Sequence, residues 1–174
     1  YGLKIIYDAA HAFGVRQNNS SILKQGDLSI LSFHATKVFN TIEGGAIITN
    51  DEKIKQRVDR LKNFGFDGTG RSRVVLPGIN AKLNELQAAY GILELQLIEE
   101  EILKRKRIYE LYCESLSTTT GISTFSIPEH TDFNYGYFPI IVNKKAFGMS
   151  RDELYEKFID NNIFPRKYFS PLIS

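Results

Sequence analysis

Ser29-Ile30-Leu31-Ser32-Phe33-His34-Ala35-Thr36-Lys37 runs on through Val38–Ile42 to Glu43-Gly44-Gly45-Ala46-Ile47-Ile48-Thr49, so two apolar, β-branched runs flank a turn that carries a lysine. Ser29–Phe33 reads as one strand and Gly44–Thr49 as another, and the glycine pair marks a tight turn or a close backbone approach. Upstream, Ile5-Ile6-Tyr7 ends in Asp8-Ala9-Ala10, the pattern of a buried strand giving way to a loop at its carboxyl end. In open α/β sheets that edge is where ligands sit.

Downstream, Thr49 and Glu52 stand at capping-box spacing, with Ile54, Val58 and Leu61 at helical steps behind them. This predicts a helix from about Asp51 to Asn63, stopped by Gly65, and then a Gly-, Arg- and Ser-rich surface loop from Phe64 to Gly78. Leu83, Leu86, Tyr90, Leu93 and Leu97 recur at steps of three and four, and Glu100/Lys104 and Glu101/Arg105 pair acid-first, which predicts one long helix, or two with a break, reaching about Leu116. Tyr90, Tyr109 and Tyr112 are spaced for packing on that face, not for stacking on bases. Thr118–Gly121 is a connector. Gly136–Val142 reads as a strand that Pro139 pushes towards an edge, and Ser150 with Glu153 forms a second capping box opening a helix through Leu154, Phe158 and Ile159.

The order is α/β up to residue 116 and a smaller α+β piece from 117 to 174, with the composition shift at Ser117–Gly121 as the boundary. The 22 Lys and Arg against 20 Asp and Glu leave a net charge of +2, dispersed along the chain, which argues against nucleic acid as a partner. Hydrophobic residues at 43 % exclude a disordered or disulfide-scaffold chain. Cys113 is the one cysteine, which rules out an intrachain disulfide and fits a reducing compartment. With no apolar run near the roughly 20 residues a bilayer requires and no charged-then-apolar leader, the expectation is a cytoplasmic protein without membrane contact. Tyr1 opens the sequence in what reads as mid-strand, so a C-terminal fragment of a longer chain is expected.

Taken singly, the reactive residues have ordinary explanations. Asp8 could cap a following helix, His11 could be a satisfied core histidine, and Lys37 could be a surface lysine. Together they differ: a carboxylate ending one strand and a lysine just past another would face the same crevice at the carboxyl edge of the sheet. Pyridoxal phosphate requires that set, a lysine for its aldehyde, an Asp to keep its ring nitrogen protonated, and hydroxyls or helix-end amides for its phosphate. A lysine becomes nucleophilic near neutrality only if desolvated or placed near other positive charge, and the apolar run before Lys37 makes burial reasonable.

Ile6–Gly14 and Leu31–Ile47, together with Leu83-Asn84-Glu85-Leu86-Gln87-Ala88-Ala89 and the closing Arg166-Lys167-Tyr168-Phe169-Ser170-Pro171-Leu172, resemble the sugar-nucleotide aminotransferases, the DegT/StrS-type enzymes of pyridoxal-phosphate fold type I. The likeness is strongest to those that aminate a dTDP-keto-6-deoxyhexose. It implies a mostly parallel sheet flanked by helices, with residues 1–116 in the large cofactor domain and 117–174 in the small C-terminal domain. By position, Lys37 would form the imine and shuttle the proton, Asp8 would pair with the pyridinium nitrogen, and His11 would lie against the ring and its phenolic oxygen. Ser32 would bind the phosphate. Asn80 would reach the phosphate of the neighbouring subunit's cofactor, which implies a homodimer with shared sites; it could equally cap a helix starting near Ala81.

The resemblance also implies a reaction: an amino donor, glutamate, aminates the cofactor, which passes the nitrogen to a nucleotide-linked keto-sugar for surface polysaccharides or natural products. The dehydratase branch of the family carries histidine in place of the lysine, and Lys37 argues against it. A non-catalytic relative acting as sensor or assembly protein remains the alternative of another class, which an intact Asp8, Ser32 and Lys37 disfavours. Acyl transfer by Ser32, His34 and Asp8 lacks a nucleophile-elbow pattern. His34 reads as a structural histidine, packed or hydrogen-bonded, rather than a catalytic one, and Glu43 as a residue that orders the turn. Family members are roughly twice this length, so the 174 residues alone are expected not to catalyse.

Overall fold

The computed structural model describes residues 1–70 and 73–168. In chain order the elements are β1 (Ile6–Asp8), β2 (Arg16–Gln17), β3 (Ser20–Ser21), β4 (Leu28–Ser32), β5 (Gly45–Ile48), α1 (Glu52–Leu61) and α2 (Glu85–Leu116). They continue with β6 (Ile122–Thr124), β7 (Thr131–Asp132), β8 (Ile140–Val142), α3 (Lys144–Phe147) and α4 (Arg151–Asp160). Phe169–Leu172 of the closing motif lie outside the described residues. The chain divides into two compact units, Tyr1–Lys106 with Ile127–Gly136, and Arg107–Ser126 with Tyr137–Ser174.

In the first unit, β4 is the middle strand of the order β1-β4-β5. β1 runs parallel to it, with Asp8 opposite Ile30, and β5 antiparallel, with Gly45 opposite Ser32. Both strands expected around the lysine turn are therefore present and are neighbours. β1 departs from the buried strand that its sequence predicts: Ile6 is 58 % exposed and Tyr7 47 %. Its outer edge has no strand beside it among the described residues, and the exposure of Ile6 and Tyr7, which alternate across the strand, leaves both of its faces partly open.

The core of this unit lies beneath the lysine turn. Phe13, from the loop after β1, stacks on Phe39 at 4.4 Å, and Phe33 meets Phe39 edge-on at 4.9 Å. Such pairs contribute about 0.5–1.5 kcal/mol each beyond their burial. Leu31, Val38 and Phe39 are buried with Ala9 and Val15. α2 closes against this cluster at Gly91, where an added Cβ would stand 2.8 Å from Thr41 Cγ2 and 3.5 Å from Phe39.

A second small sheet, β3-β2-β7, was not foreseen. Asn18 and Asn19 form its two-residue turn, both with positive φ (49° and 62°), the backbone of a primed hairpin turn that Asn tolerates. In the second unit β6 pairs antiparallel with β8, and the strand expected over 136–142 is confined to Ile140–Val142. α4 begins at the expected capping box, Ser150 accepting from the Glu153 N–H while the Glu153 carboxylate accepts from the Ser150 N–H. Tyr109 and Tyr112 pack on Phe138 at 5.0 Å, as their helical spacing suggests.

Two helix starts differ from expectation. α1 is capped by Asp51, whose carboxylate accepts from Lys53 and Ile54 N–H; Thr49 instead donates to the Asp27 carbonyl and accepts from the Asp51 N–H. Asp beats a threonine two residues back because it can reach two first-turn amides and favours the positive end of the helix dipole. α2 begins at Glu85 rather than near Ala81, and Asn84 caps it, its Oδ1 accepting from Gln87 N–H at 2.9 Å. The stretch read as a loop from Phe64 to Gly78 carries a β-bridge between Phe66 and Val74. Among the described residues no helix is long and apolar enough to cross a membrane.

Candidate active site

Because β1 and β4 are parallel and in register, their carboxyl ends lie at one edge of the sheet, and Asp8 and Ser32 are the last residues of the two strands. Chain reversal after Asp8 begins with an Asx turn, its Oδ1 accepting the Ala10 N–H at 3.1 Å. No helix follows for Asp8 to cap; the next element is β2. His11 is exposed in the same loop.

After Ser32 the chain folds back within one short loop. Ser32 Oγ accepts from His34 N–H (3.3 Å), Lys37 N–H donates to the His34 carbonyl (2.9 Å), and Thr41 N–H to the Phe33 carbonyl (2.9 Å). Lys37 is half-buried, flanked by the buried Val38 and Phe39. His34 is hydrogen-bonded, as expected: Nδ1 accepts from Thr36 N–H at 3.2 Å and lies 2.9 Å from Thr36 Oγ1. With Nδ1 accepting, the neutral ring carries its proton on Nε2, 3.6 Å from the Glu43 carboxylate. Glu43 orders the turn through its backbone, its carbonyl accepting from the buried Thr41 hydroxyl at 2.7 Å.

The turn closes at the glycine pair. A Cβ on Gly45 would stand 2.7 Å from the Leu31 carbonyl, so the residue paired with Ser32 must be glycine for β5 to seat on β4. Ile42 adopts φ 67°, a left-handed conformation that a β-branched residue rarely takes, and its N–H is held by Asn40 Oδ1 at 3.1 Å. The strained residue lies in the segment between Lys37 and the glycines.

Asn80 pairs with Asn63 in a β-bridge, and its Oδ1 accepts from Lys82 Nζ at 2.7 Å. Its reading as the α2 cap is corrected by Asn84, four residues further on and directly before the helix. Asn134, which the sequence did not single out, is buried and donates to the carbonyls of His11 and Phe13. A polar residue inside the aromatic run Phe133-Asn134-Tyr135 was the available signal. A cavity of about 610 Å³ lies elsewhere, along Lys53, Arg57, Arg60 and Leu76, and holds none of these residues.

The donor set suits pyridoxal phosphate: a carboxylate ending β1 whose Oδ1 accepts the Ala10 N–H, a hydroxyl ending β4, and an amine on a half-buried turn between them and the glycine pair. Among the described residues no group of three His, Cys, Asp or Glu side chains could hold a metal ion.

Comparison with known proteins places the chain in a family. A profile described as the DegT/DnrJ/EryC1/StrS aminotransferase family matches residues 1–174. Two relatives called dTDP-4-amino-4,6-dideoxy-D-glucose transaminase are similar along the whole chain: one from Shigella dysenteriae is 46 % identical over 173 residues, and one from Escherichia coli 48 % over 175. They match 99 % and 100 % of this chain, which spans about 46 % of the length of either. The crystal structure of DesI, determined in the presence of its TDP-sugar product, superposes with a TM-score of 0.89 at 35 % identity, over 98 % of this chain and 43 % of that one. The α/β fold of pyridoxal-phosphate transferases, expected from the sequence, is the fold of this chain. The chain belongs to the DegT/DnrJ/EryC1/StrS aminotransferase family.

Proposed function

We propose that the full-length protein is a pyridoxal-phosphate-dependent transaminase that moves an amino group, from glutamate, onto a keto-deoxyhexose carried by a nucleotide of the dTDP class. The observation that carries this reading is the parallel, in-register pairing of β1 with β4, which brings Asp8, Ser32 and the Lys37 turn to one sheet edge. Its support from relatives is the 46–48 % identity to two dTDP-amino-sugar transaminases.

Bound at this edge, the cofactor would supply an electron sink for the carbon that exchanges nitrogen. Lys37 would hold the cofactor aldehyde covalently and, once released, carry the proton between cofactor and sugar carbon. Asp8 would keep the proton on the pyridine nitrogen, His11 would lie against the ring and its phenolic oxygen, and Ser32 would hold the phosphate. Asn80 would reach the phosphate in a neighbouring subunit, making the enzyme a cytoplasmic homodimer with shared sites. Residues 1–116 would belong to the large cofactor domain and 117–174 to the small one.

The test is to incubate the full-length enzyme with pyridoxal phosphate, glutamate and nucleotide-linked 3-keto and 4-keto sugars, and to identify the amino-sugar by mass and NMR. A visible imine band, lost on borohydride reduction, is expected. Lys37→Ala should abolish the band and lower the rate by on the order of 10²–10⁴-fold, the scale of removing a positioned proton-transfer group. Amination retained by Lys37→Ala, or no band in the wild type, would refute the reading.

A further inference from the structure

The Asn134 amide uses both of its N–H donors and its oxygen. Its Nδ2 donates to the His11 carbonyl and to the Phe13 carbonyl, both at 2.8 Å, and its Oδ1 accepts the Gly136 N–H at 3.1 Å. At 2 % exposure it has no water to fall back on. An amide is the side chain that fits: it presents two N–H groups to two carbonyls and an oxygen to an N–H, whereas an aspartate has no donor and would bring a buried charge against both carbonyls.

Two further contacts give the residue a functional position. Gly136, held by the Asn134 oxygen, lies against Val38, since a Cβ there would stand 2.8 Å from Val38 Cγ2. Val38 follows Lys37 directly. β7, just before Asn134, pairs with β2, just after the His11 loop, with Arg16 opposite Asp132. The segment 131–136 thus holds the loop after Asp8 from one side and touches the lysine turn on the other.

We propose that Asn134 is a positioning residue for the cofactor pocket, fixing the path of the loop Ala9–Gly14 and, through Gly136 and Val38, the seat of Lys37. The proposal rests on the reading of Asp8, His11 and Lys37 as cofactor residues. It goes beyond that reading by assigning a role to a residue more than a hundred positions away in sequence.

The test uses the full-length protein and the variants Asn134→Ser and Gly136→Ala. Hydrogen exchange of the cofactor-free protein is followed in peptides covering 9–15, 33–41 and, as a reference, α4. Pyridoxal phosphate affinity is measured by titration, separately from turnover. For Asn134→Ser, faster exchange in 9–15 and 33–41 with α4 unchanged is expected, together with cofactor binding weakened by about tenfold, the scale of leaving buried carbonyls unpaired. Gly136→Ala keeps the Asn134 side chain and presses hardest on Val38, its Cβ standing 2.8 Å from Val38 Cγ2 and 3.3 Å from Asn134 Oδ1, so it should loosen 33–41 more than 9–15 and also weaken binding; it keeps the test open if Asn134→Ser fails to fold. Exchange that is unchanged, or that rises equally in all three peptides, would overturn the proposal, as would wild-type cofactor affinity in both variants. A wild type that binds no pyridoxal phosphate would sink the reading of the site instead, while the exchange data would still report on the clamp.

Discussion

Asp27 shows how one surface residue fixes where β1 starts. Its carboxylate accepts from Lys4 Nζ at 2.7 Å and from the Ile5 N–H at 2.9 Å, while its own N–H donates to the Ile5 carbonyl and its carbonyl accepts from Thr49. The Lys4 hydrogen bond, then the Ile5 N–H, hold the Asp27 carboxyl below its ordinary value of 3.8, and the same bond raises Lys4 above 10.5. A depressed carboxylate stabilises the fold above its unfolded pKa, and that contribution is lost as pH falls through the lower folded value. A raised lysine stabilises below its unfolded pKa, and that is lost as pH rises through the higher folded value. Asp27→Asn should therefore lower the urea midpoint of the full-length protein modestly across neutral pH, with the gap to wild type closing below 3.8. A gap that persists in acid would mean that the carboxylate's charge is not its source. At this scale the candidate site was half legible. Asp8 and Ser32 end strands and Lys37 lies in the turn that follows the second, positions that period and turn chemistry mark. Asn134 carries only a faint local mark, a polar residue inside an aromatic run; its role was not legible, because its partners are backbone carbonyls 121 and 123 residues away.

α2 is the element whose placement depends on a single missing side chain. Gly91 costs a helix interior roughly 1 kcal/mol relative to alanine, yet it is the buried residue of the helix, facing Thr41 and Phe39. Gly91→Ala gains that propensity but drives a Cβ to 2.8 Å from Thr41 Cγ2, an overpacking of about 1–3 kcal/mol against a residue only 2 % exposed. The net expectation is destabilisation. Thr41→Ser removes the offending methyl while keeping the hydroxyl bond to the Glu43 carbonyl, so the double variant should recover most of the loss. A thermal melt in which the double variant is no better than Gly91→Ala would show that the contact does not limit the approach of α2. Element types were largely readable from period: β4, β5, the amphipathic α1, the long α2 and the capping box of α4 follow it, although the apolar positions of α2 that marked it stand exposed. Element starts were less so, because several hydrogen-bonding side chains compete for one turn. Thr49 and Asp51 both lie within reach of the first turn of α1, and the better acceptor took the cap. The two-residue strands around Asn18 and Asn19 are too short for alternation to register, although the Asn pair carried their turn chemistry.

Among the described residues, apolar side chains stand exposed even where strand and helix patterns call for burial. Parallel strands are normally covered on both faces, yet Ile6 and Tyr7, whose side chains alternate across β1, are both exposed, as is Ile30 opposite Asp8. On α2, Leu86 is 84 % exposed and Leu93 59 %. A chain that spans about 46 % of its relatives' length and leaves this much apolar surface in water has a fold that more polypeptide should complete, from the rest of the protein or a second subunit. Residues 1–174 expressed alone should therefore bind a hydrophobic dye, self-associate in sedimentation, and fail to aminate any nucleotide-linked keto-sugar when given pyridoxal phosphate and glutamate. The full-length protein should do the reverse in each assay. A dye-silent, monodisperse 174-residue chain would mean that these faces tolerate water, and the argument from exposure would fail even if the full-length enzyme proved to be a transaminase.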